Sequence, residues 1–406
     1  MSPSASRGIR PGTLGAESRG GDLSLRDKKM RITKRAAPCC ALLLLISVVL
    51  AGCGGGARAM GWSAPVVDNG TLYFGSKAGK LYALDIETRE TVWSFPAEGA
   101  LAGIYSTPVV RDGSLFFGSY EIATTSFLIF QNQDIQGRGY ALEMTKGEED
   151  WHFPKDSSQD PEPFIGSPAL GGGLVYFTSS DGDVYALEME TGALKWSFEG
   201  GKEIWAGPAW ADGTLYVGSA DKNLYAFDAA TGDQRWHFTA GGAIYTTPYI
   251  NGDLVYFGAL DNKVYAVDTE SGAEVWTYQT GNWVWAGPVE NGGLLYAASL
   301  DHSLYALDAA SGALRWAFEA GDMIPASPVI ADGVVFLPAR EAGVYALEAE
   351  TGGQLWHYPE EGVLTVLASP AVADGLVYVN ADDGKLYALD SATGKLQWEV
   401  APGAEE

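Results

Sequence analysis

The sequence predicts an all-β chain folded as an eight-bladed β-propeller of four-stranded antiparallel blades. Three repeated landmarks carry that prediction. An opening proline recurs as Pro65, Pro108, Pro168, Pro208, Pro248, Pro288, Pro328 and Pro370. A Tyr-Ala pair recurs at Tyr82, Tyr140, Tyr185, Tyr225, Tyr265, Tyr305, Tyr345 and Tyr387. A tryptophan closes each unit, at Trp93, Trp151, Trp196, Trp236, Trp276, Trp316, Trp356 and Trp398. A period near 40 residues with four short strands per period is that of propeller blades.

Blade 4, from Ile204 to Ala243, shows the unit, its strands lettered A to D from the axis outward. Pro208 opens strand A, and Asp212-Gly213 makes a tight turn into strand B, Thr214–Ser219. A turn at Asp221-Lys222-Asn223 leads into strand C, Leu224–Asp228. Thr231-Gly232 then leads to the outer strand around Arg235-Trp236-His237-Phe238. Glycine after Asp or Asn suits hairpins that need positive φ. Strands such as Leu254-Val255-Tyr256-Phe257 are apolar on both faces, as expected of strands packed between stacked blades. The composition agrees: 52 Gly, 20 Tyr and 13 Trp in 406 residues favour short strands and turns over helices.

The propeller is expected over residues 62–403, with 404–406 a tail. Residues 1–29 are rich in Gly, Ser and Arg, and read as an unstructured or over-extended start. Residues 30–52 read as a signal peptide: Arg31, Lys34 and Arg35 precede an apolar run from Ala36 to Leu50, too short to span a membrane comfortably. The run ends in Leu50-Ala51-Gly52-Cys53. This resembles a bacterial lipobox, which implies cleavage before Cys53, lipid on its thiol and new amine, and a tether over 53–61. Acyl chains on one residue would anchor the protein without a spanning helix. Gly54 follows, which in a two-membrane bacterium implies the outer membrane, facing the periplasm. Cys39 and Cys40 would leave with the signal, so the mature chain has no disulfide.

Charge narrows the partners. The whole chain carries −25. Residues 1–52 hold nine basic and three acidic side chains, +6, so 53–406 carries −25 − 6 = −31. Such a body repels phosphate backbones, which argues against nucleic acid as a partner.

In a four-strand meander, the connectors between blades share one face with the B–C turns, and the A–B and C–D turns share the other. The second set is short and uniform and reads as scaffold. The connector face varies. Trp62, Trp205, Trp210, Trp283 and Trp285 all lie in or just before a strand A, and Tyr105 and Tyr245 take the same repeat position as Trp205 and Trp285. These residues line the axial mouth for a planar ligand or a partner's apolar side chain, or else they pack between blades. Small pairs such as Ala206-Gly207 and Ala286-Gly287 point to crowding at the axis. Blade 2 exceeds the 40-residue spacing of successive prolines by 20 residues, chiefly over Glu121–Arg138, which contains Phe127-Leu128-Ile129-Phe130. That stretch reads either as an extended B–C loop with Phe127 and Phe130 as contact residues, or as a lengthened hairpin folding onto its blade.

No catalytic constellation emerges. His152, His237 and His357 follow closing tryptophans of different blades, and His302 lies in a B–C turn, so none has metal-ligand spacing. Asp181-Gly182-Asp183 resembles a fragment of a calcium loop but recurs as an ordinary hairpin turn and lacks a terminal Glu.

The repeat resembles the PQQ-like propeller family, in which Asp-x-x-Thr-Gly-x-x-x-Trp is the tryptophan-docking motif. Asp228, Thr231, Gly232 and Trp236 match it, as do Asp390, Thr393, Gly394 and Trp398. The resemblance implies that the eight closing tryptophans dock against the neighbouring blade through their indole N–H. Blade 1 departs with Arg89 in place of Gly, and blade 2 reads Glu143-Met144-Thr145-Lys146-Gly147. A lipid-anchored propeller without disulfides is similar to the BamB-type propellers of outer-membrane protein assembly. That likeness implies a non-catalytic binding or scaffold protein that docks an envelope partner and needs no cofactor. The alternative within the same repeat family is a dehydrogenase-like protein that binds PQQ with calcium.

Overall fold

A computed structural model describes residues 63–127, 130–155 and 161–403, apart from the side chains of residues 122–134. The leader, Cys53 and Trp62 lie outside the described residues. The described chain is a ring of eight sheets of four antiparallel strands, each sheet built from consecutive segments. Blade 1 comprises β1 (Val66–Asp68), β2 (Thr71–Gly75), β3 (Leu81–Asp85) and β4 (Thr91–Phe95). Blade 2 comprises β5 (Val109–Arg111), β6 (Ser114–Phe127), β7 (Phe130–Glu143) and β8 (Glu149–Phe153). Blade 8 supplies its own outer strand, Leu396–Val400, so no strand is exchanged between the chain ends.

The repeat's residues explain its geometry. In the A–B turns, pairs such as Asn69-Gly70, Asp212-Gly213 and Asp332-Gly333 hold both residues at positive φ. Such turns match the twist of the strands they join. In every blade the ladder between strands C and D slips by one residue just after the Ala of the Tyr-Ala pair. The slip sets that Ala directly opposite the closing tryptophan, as in Ala266 against Trp276. A larger side chain there would compete with the indole for space.

The core is divided among the seams between blades. One cluster joins Tyr256, Val264 and Trp276 of blade 5 to Leu295, Ala297 and Leu307 of blade 6. The same arrangement closes the ring, where Tyr378, Leu386 and Trp398 of blade 8 pack on Leu72, Phe74 and Leu84 of blade 1.

The closing tryptophans lie in these seams. Trp93, Trp151, Trp196, Trp236, Trp276, Trp316 and Trp356 each donate their indole N–H to a backbone carbonyl of the next blade, at 2.8–3.1 Å. The accepting residue, Ala309 for Trp276, donates its own N–H to the A–B turn of its blade. One residue in each of these seven accepting blades is thereby held through both its N–H and its carbonyl. The following turn glycine lies flat against the indole: a Cβ on Gly312, at φ +71°, would come 2.6 Å from Trp276. Only glycine meets both demands without strain. Gly147 of blade 2 fills the same place against Trp93. Arg89 of blade 1 adopts the same left-handed backbone, φ 65°, and sets its guanidinium 6.0 Å from the ring of Trp398.

Of the two readings of the blade 2 insertion, the structure takes the lengthened hairpin over the extended B–C loop. Glu121–Arg138 is not a loop: β6 and β7 run on together, paired without a register slip from Ser114↔Glu143 to Phe127↔Phe130. A run of Ile, Thr and Phe favours extended backbone, and the paired strands satisfy each other's inward amides.

Candidate functional site: the connector face

In blades 4 to 7 the B–C turn is tied to the connector entering its own blade. Ala220 N–H donates to Glu203 O, Leu260 to Ala243, Leu300 to Trp283 and Arg340 to Met323, at 2.9 Å in each case. Hydroxyls at the start of strand A add to this. Ser106 Oγ accepts from Gly118 N–H, and Thr246 Oγ1 both accepts from Gly258 N–H and donates to its carbonyl. At the axis the connectors crowd together, and a Cβ on Gly207 would come 2.4 Å from Ser167 O.

A second regularity stiffens this face. In several blades the tyrosine of the Tyr-Ala pair donates its hydroxyl to a carboxylate at the B–C turn: Tyr225 to Asp221, Tyr265 to Asp261, Tyr305 to Asp301 and Tyr387 to Asp383. In blade 2 the partner is Glu121, 2.7 Å from Tyr140. Sequence reading missed this role, although the Asp four residues before each of the four tyrosines was its signal. Burial first, and then the accepting carboxylate, raise the hydroxyl of Tyr265 well above the usual tyrosine range. In blade 3, burial and then the neighbouring Asp181 raise Asp183 to about 6.

The structure brings only part of the expected aromatic set together. Trp205 stacks on Tyr245 at 4.8 Å and 18°, and Trp285 closes on both at 6.1 and 5.4 Å. All three are half-buried. Tyr105 stacks on Tyr120 of its own blade at 5.8 Å and 11°. Burial, and then Tyr120, raise its hydroxyl far above the usual range. Trp283 stands apart and is 44% exposed. Trp210 lies in strand A against Gly171, between blades 3 and 4, its buried indole N–H without a partner among the described residues. It is a packing residue. Phe127 and Phe130 form the last pair of the blade 2 ribbon.

The cluster is poorly suited to a planar cofactor. A ring held between two others needs them about 7 Å apart, twice the contact distance of ~3.5 Å. Trp205 and Tyr245 already touch each other. Among the described residues no three His, Cys, Asp or Glu side chains approach closely enough to hold a metal ion. The residues present therefore do not fit PQQ with calcium between the mouth aromatics.

The opposite face repeats itself from blade to blade. Its Asp residues cap the C–D turns, as Asp268 accepts from the Ser271 backbone and hydroxyl at 2.7 and 2.6 Å. Arg315 and the Ser311 hydroxyl hold Asp308 down at about 2.

Comparison with known proteins agrees with the fold. The structure is similar to BamB from Moraxella catarrhalis, with TM-score 0.59, 17% identity, and coverage of 73% of this chain and 87% of that one. It is also similar to the quinohemoprotein alcohol dehydrogenase of Comamonas testosteroni, with TM-score 0.63, 15% identity, and coverage of 84% and 74%. A stretch of 135 residues is 31% identical to the serine/threonine-protein kinase AfsK of Streptomyces griseus; it covers 33% of this chain and spans only 15% of the kinase. The family model described as outer membrane protein assembly factor BamB matches residues 47–202, 196–284 and 280–406. Those matches take in every blade, and the chain belongs to the family of the outer membrane protein assembly factor BamB.

Proposed function

We propose that this chain is a lipid-anchored, non-catalytic binding scaffold of the bacterial cell envelope. It docks a protein partner through its connector face, in the manner that the family's name describes for outer-membrane protein assembly. The observation that carries the reading is the contrast between faces. The turn face repeats one set of backbone contacts in blade after blade, whereas the aromatic cluster, the exposed Trp283 and the blade 2 ribbon all belong to the connector face. Departures from a repeat mark the surface on which function is built. The self-stacked aromatics support a protein partner over a bound cofactor, since packed aromatic surface serves as an anchor.

Anchoring rests on Cys53, with the outer membrane facing the periplasm as the site in a two-membrane cell. The test is photo-crosslinking in cells from position 283 on the connector face and position 350 on the turn face. The expected result is a discrete adduct with an envelope protein from 283 alone. Equal adducts from both positions, or none from 283, would overturn the reading. Cys53→Ala is expected to move the protein from the membrane to the soluble fraction.

A further inference from the structure

The blade 2 ribbon presents strand edges that no described residue pairs with beyond their root. The root is firmly held. Tyr120 N–H donates to Gly103 O at 3.3 Å, Ala102 N–H donates to Tyr120 O at 3.1 Å, and Gly137 N–H donates to Pro161 O at 2.7 Å. Arg138 donates to Pro154 O, and a Cβ on Gly137 would lie 2.2 Å from Glu162 O. Two connectors thus grip the ribbon where it leaves the blade.

Those root bonds identify the free amides. In an antiparallel ladder, residues alternate between pairs that bond each other and pairs whose backbone groups face away. Tyr120 and Gly137 are opposite one another and both bond outward. Counting in twos, Ile122, Thr124 and Ser126 on β6, and Gln131, Gln133 and Ile135 on β7, also turn their amides outward. The ladder has no bulge, and residues 122–135 include no Lys or Pro. Bulges, Lys and Pro are the usual devices that stop a strand edge from pairing. The β6 edge, Ile-Ala-Thr-Thr-Ser-Phe, has the stronger strand formers; β7 opposes it with Gln-Asn-Gln-Asp.

The geometry points to the outward edge of β6, at Ile122, Thr124 and Ser126, as a site that receives an extended segment of another protein by main-chain strand addition. An extended chain supplies donors and acceptors at the spacing this edge offers. Charge excludes a second copy as the favoured occupant. Residues 122–133 carry no charge, but two copies would bring together bodies of −31 each, which repel. An uncharged or cationic segment of a different protein meets no such barrier. The inference deepens the scaffold reading and rests on it only for the existence of a protein partner.

The test uses the whole chain in detergent and a labelled peptide of ten alternating Thr and Val residues with a Lys at each end. Fluorescence anisotropy reads binding, and hydrogen exchange reads residues 121–127. Peptide is expected to slow exchange there. Thr124→Pro, which removes an outward amide that the hairpin does not use, is expected to weaken binding at least tenfold with an unchanged melt. Thr124→Ser and Gln133→Pro are expected to bind as the parent does. Unchanged binding by Thr124→Pro would overturn the proposal. So would loss of binding in Gln133→Pro alone, no slowing of exchange at millimolar peptide, or equal slowing from concentrated protein without peptide. Crosslinking from position 283 does not depend on this edge, so the two proposals can fail separately.

Discussion

At the seam between blades 5 and 6, the Ala309 carbonyl accepts from both the Trp276 indole and the Tyr256 hydroxyl, each at 3.0 Å. At the seam between blades 8 and 1, the equivalent Tyr378 hydroxyl is buried without a partner among the described residues, and Trp398 faces Arg89. The closing seam relies on other contacts. The Asn380 amide donates to the carbonyls of Ser63 and Gly75, both at 2.9 Å, and Lys77 pairs with Asp382. An internal seam joins blades that are neighbours in sequence. The closing seam joins groups more than 300 residues apart, so it must recover the entropy of closing the whole ring. Bonds specific to the two ends fix its register there, where the repeat alone would leave sliding alternatives.

The largest effect is expected at Trp276→Ala, which removes a buried ring and one indole bond and should cost about 3–5 kcal/mol. Trp398→Ala should cost about 1 kcal/mol less, because no indole bond is lost there. Equal losses by calorimetry would show that the two seams are held alike. A sharper test is Tyr→Phe at both seams. Tyr256→Phe should cost about 1 kcal/mol, whereas Tyr378→Phe removes an unsatisfied hydroxyl and should be neutral or stabilising by up to about 1 kcal/mol. Losses of the same sign and size would contradict the seam assignment.

The smallest effect is expected on the connector face, at Asp183. Its folded-state value near 6 lies above the ordinary carboxylate range, so between about pH 4 and pH 6 the folded protein holds a proton that the unfolded chain has released. Stability from this group is therefore present in acid and lost as the pH rises through about 6. Asp183→Asn should stabilise the protein at pH 7 by about 1 kcal/mol, most of the nominal gain being screened in a half-exposed group. The gain should vanish below pH 4, the ordinary range of an unfolded carboxylate.

The ring was legible because each blade states its own turns and landmarks: Pro208, Tyr225 and Trp236 recur in spacing, and periodicity needs no tertiary knowledge. Arg89 departed from the motif in residue type yet kept the backbone, since a left-handed position is costly for Arg but not closed to it. The mouth was half legible. A shared repeat position predicted that Trp205, Tyr245 and Trp285 lie near one another, but not that their rings stack on each other while Tyr105 turns to Tyr120. Side-chain direction at an axis depends on neighbours that the local sequence does not name. Glu121–Arg138 was ambiguous for a related reason, since a long insertion between two strands is compatible with a loop or a ribbon until pairing is known.

On the proposed function the connector face takes protein, its aromatic cluster already satisfied by its own rings. The most direct test is a titration of the whole chain with PQQ and calcium, followed by tryptophan fluorescence and melting temperature. The account predicts neither saturable quenching nor a raised melt at high ligand excess. Saturable quenching with a raised melt, both lost in Trp205→Ala or Trp285→Ala, would contradict it.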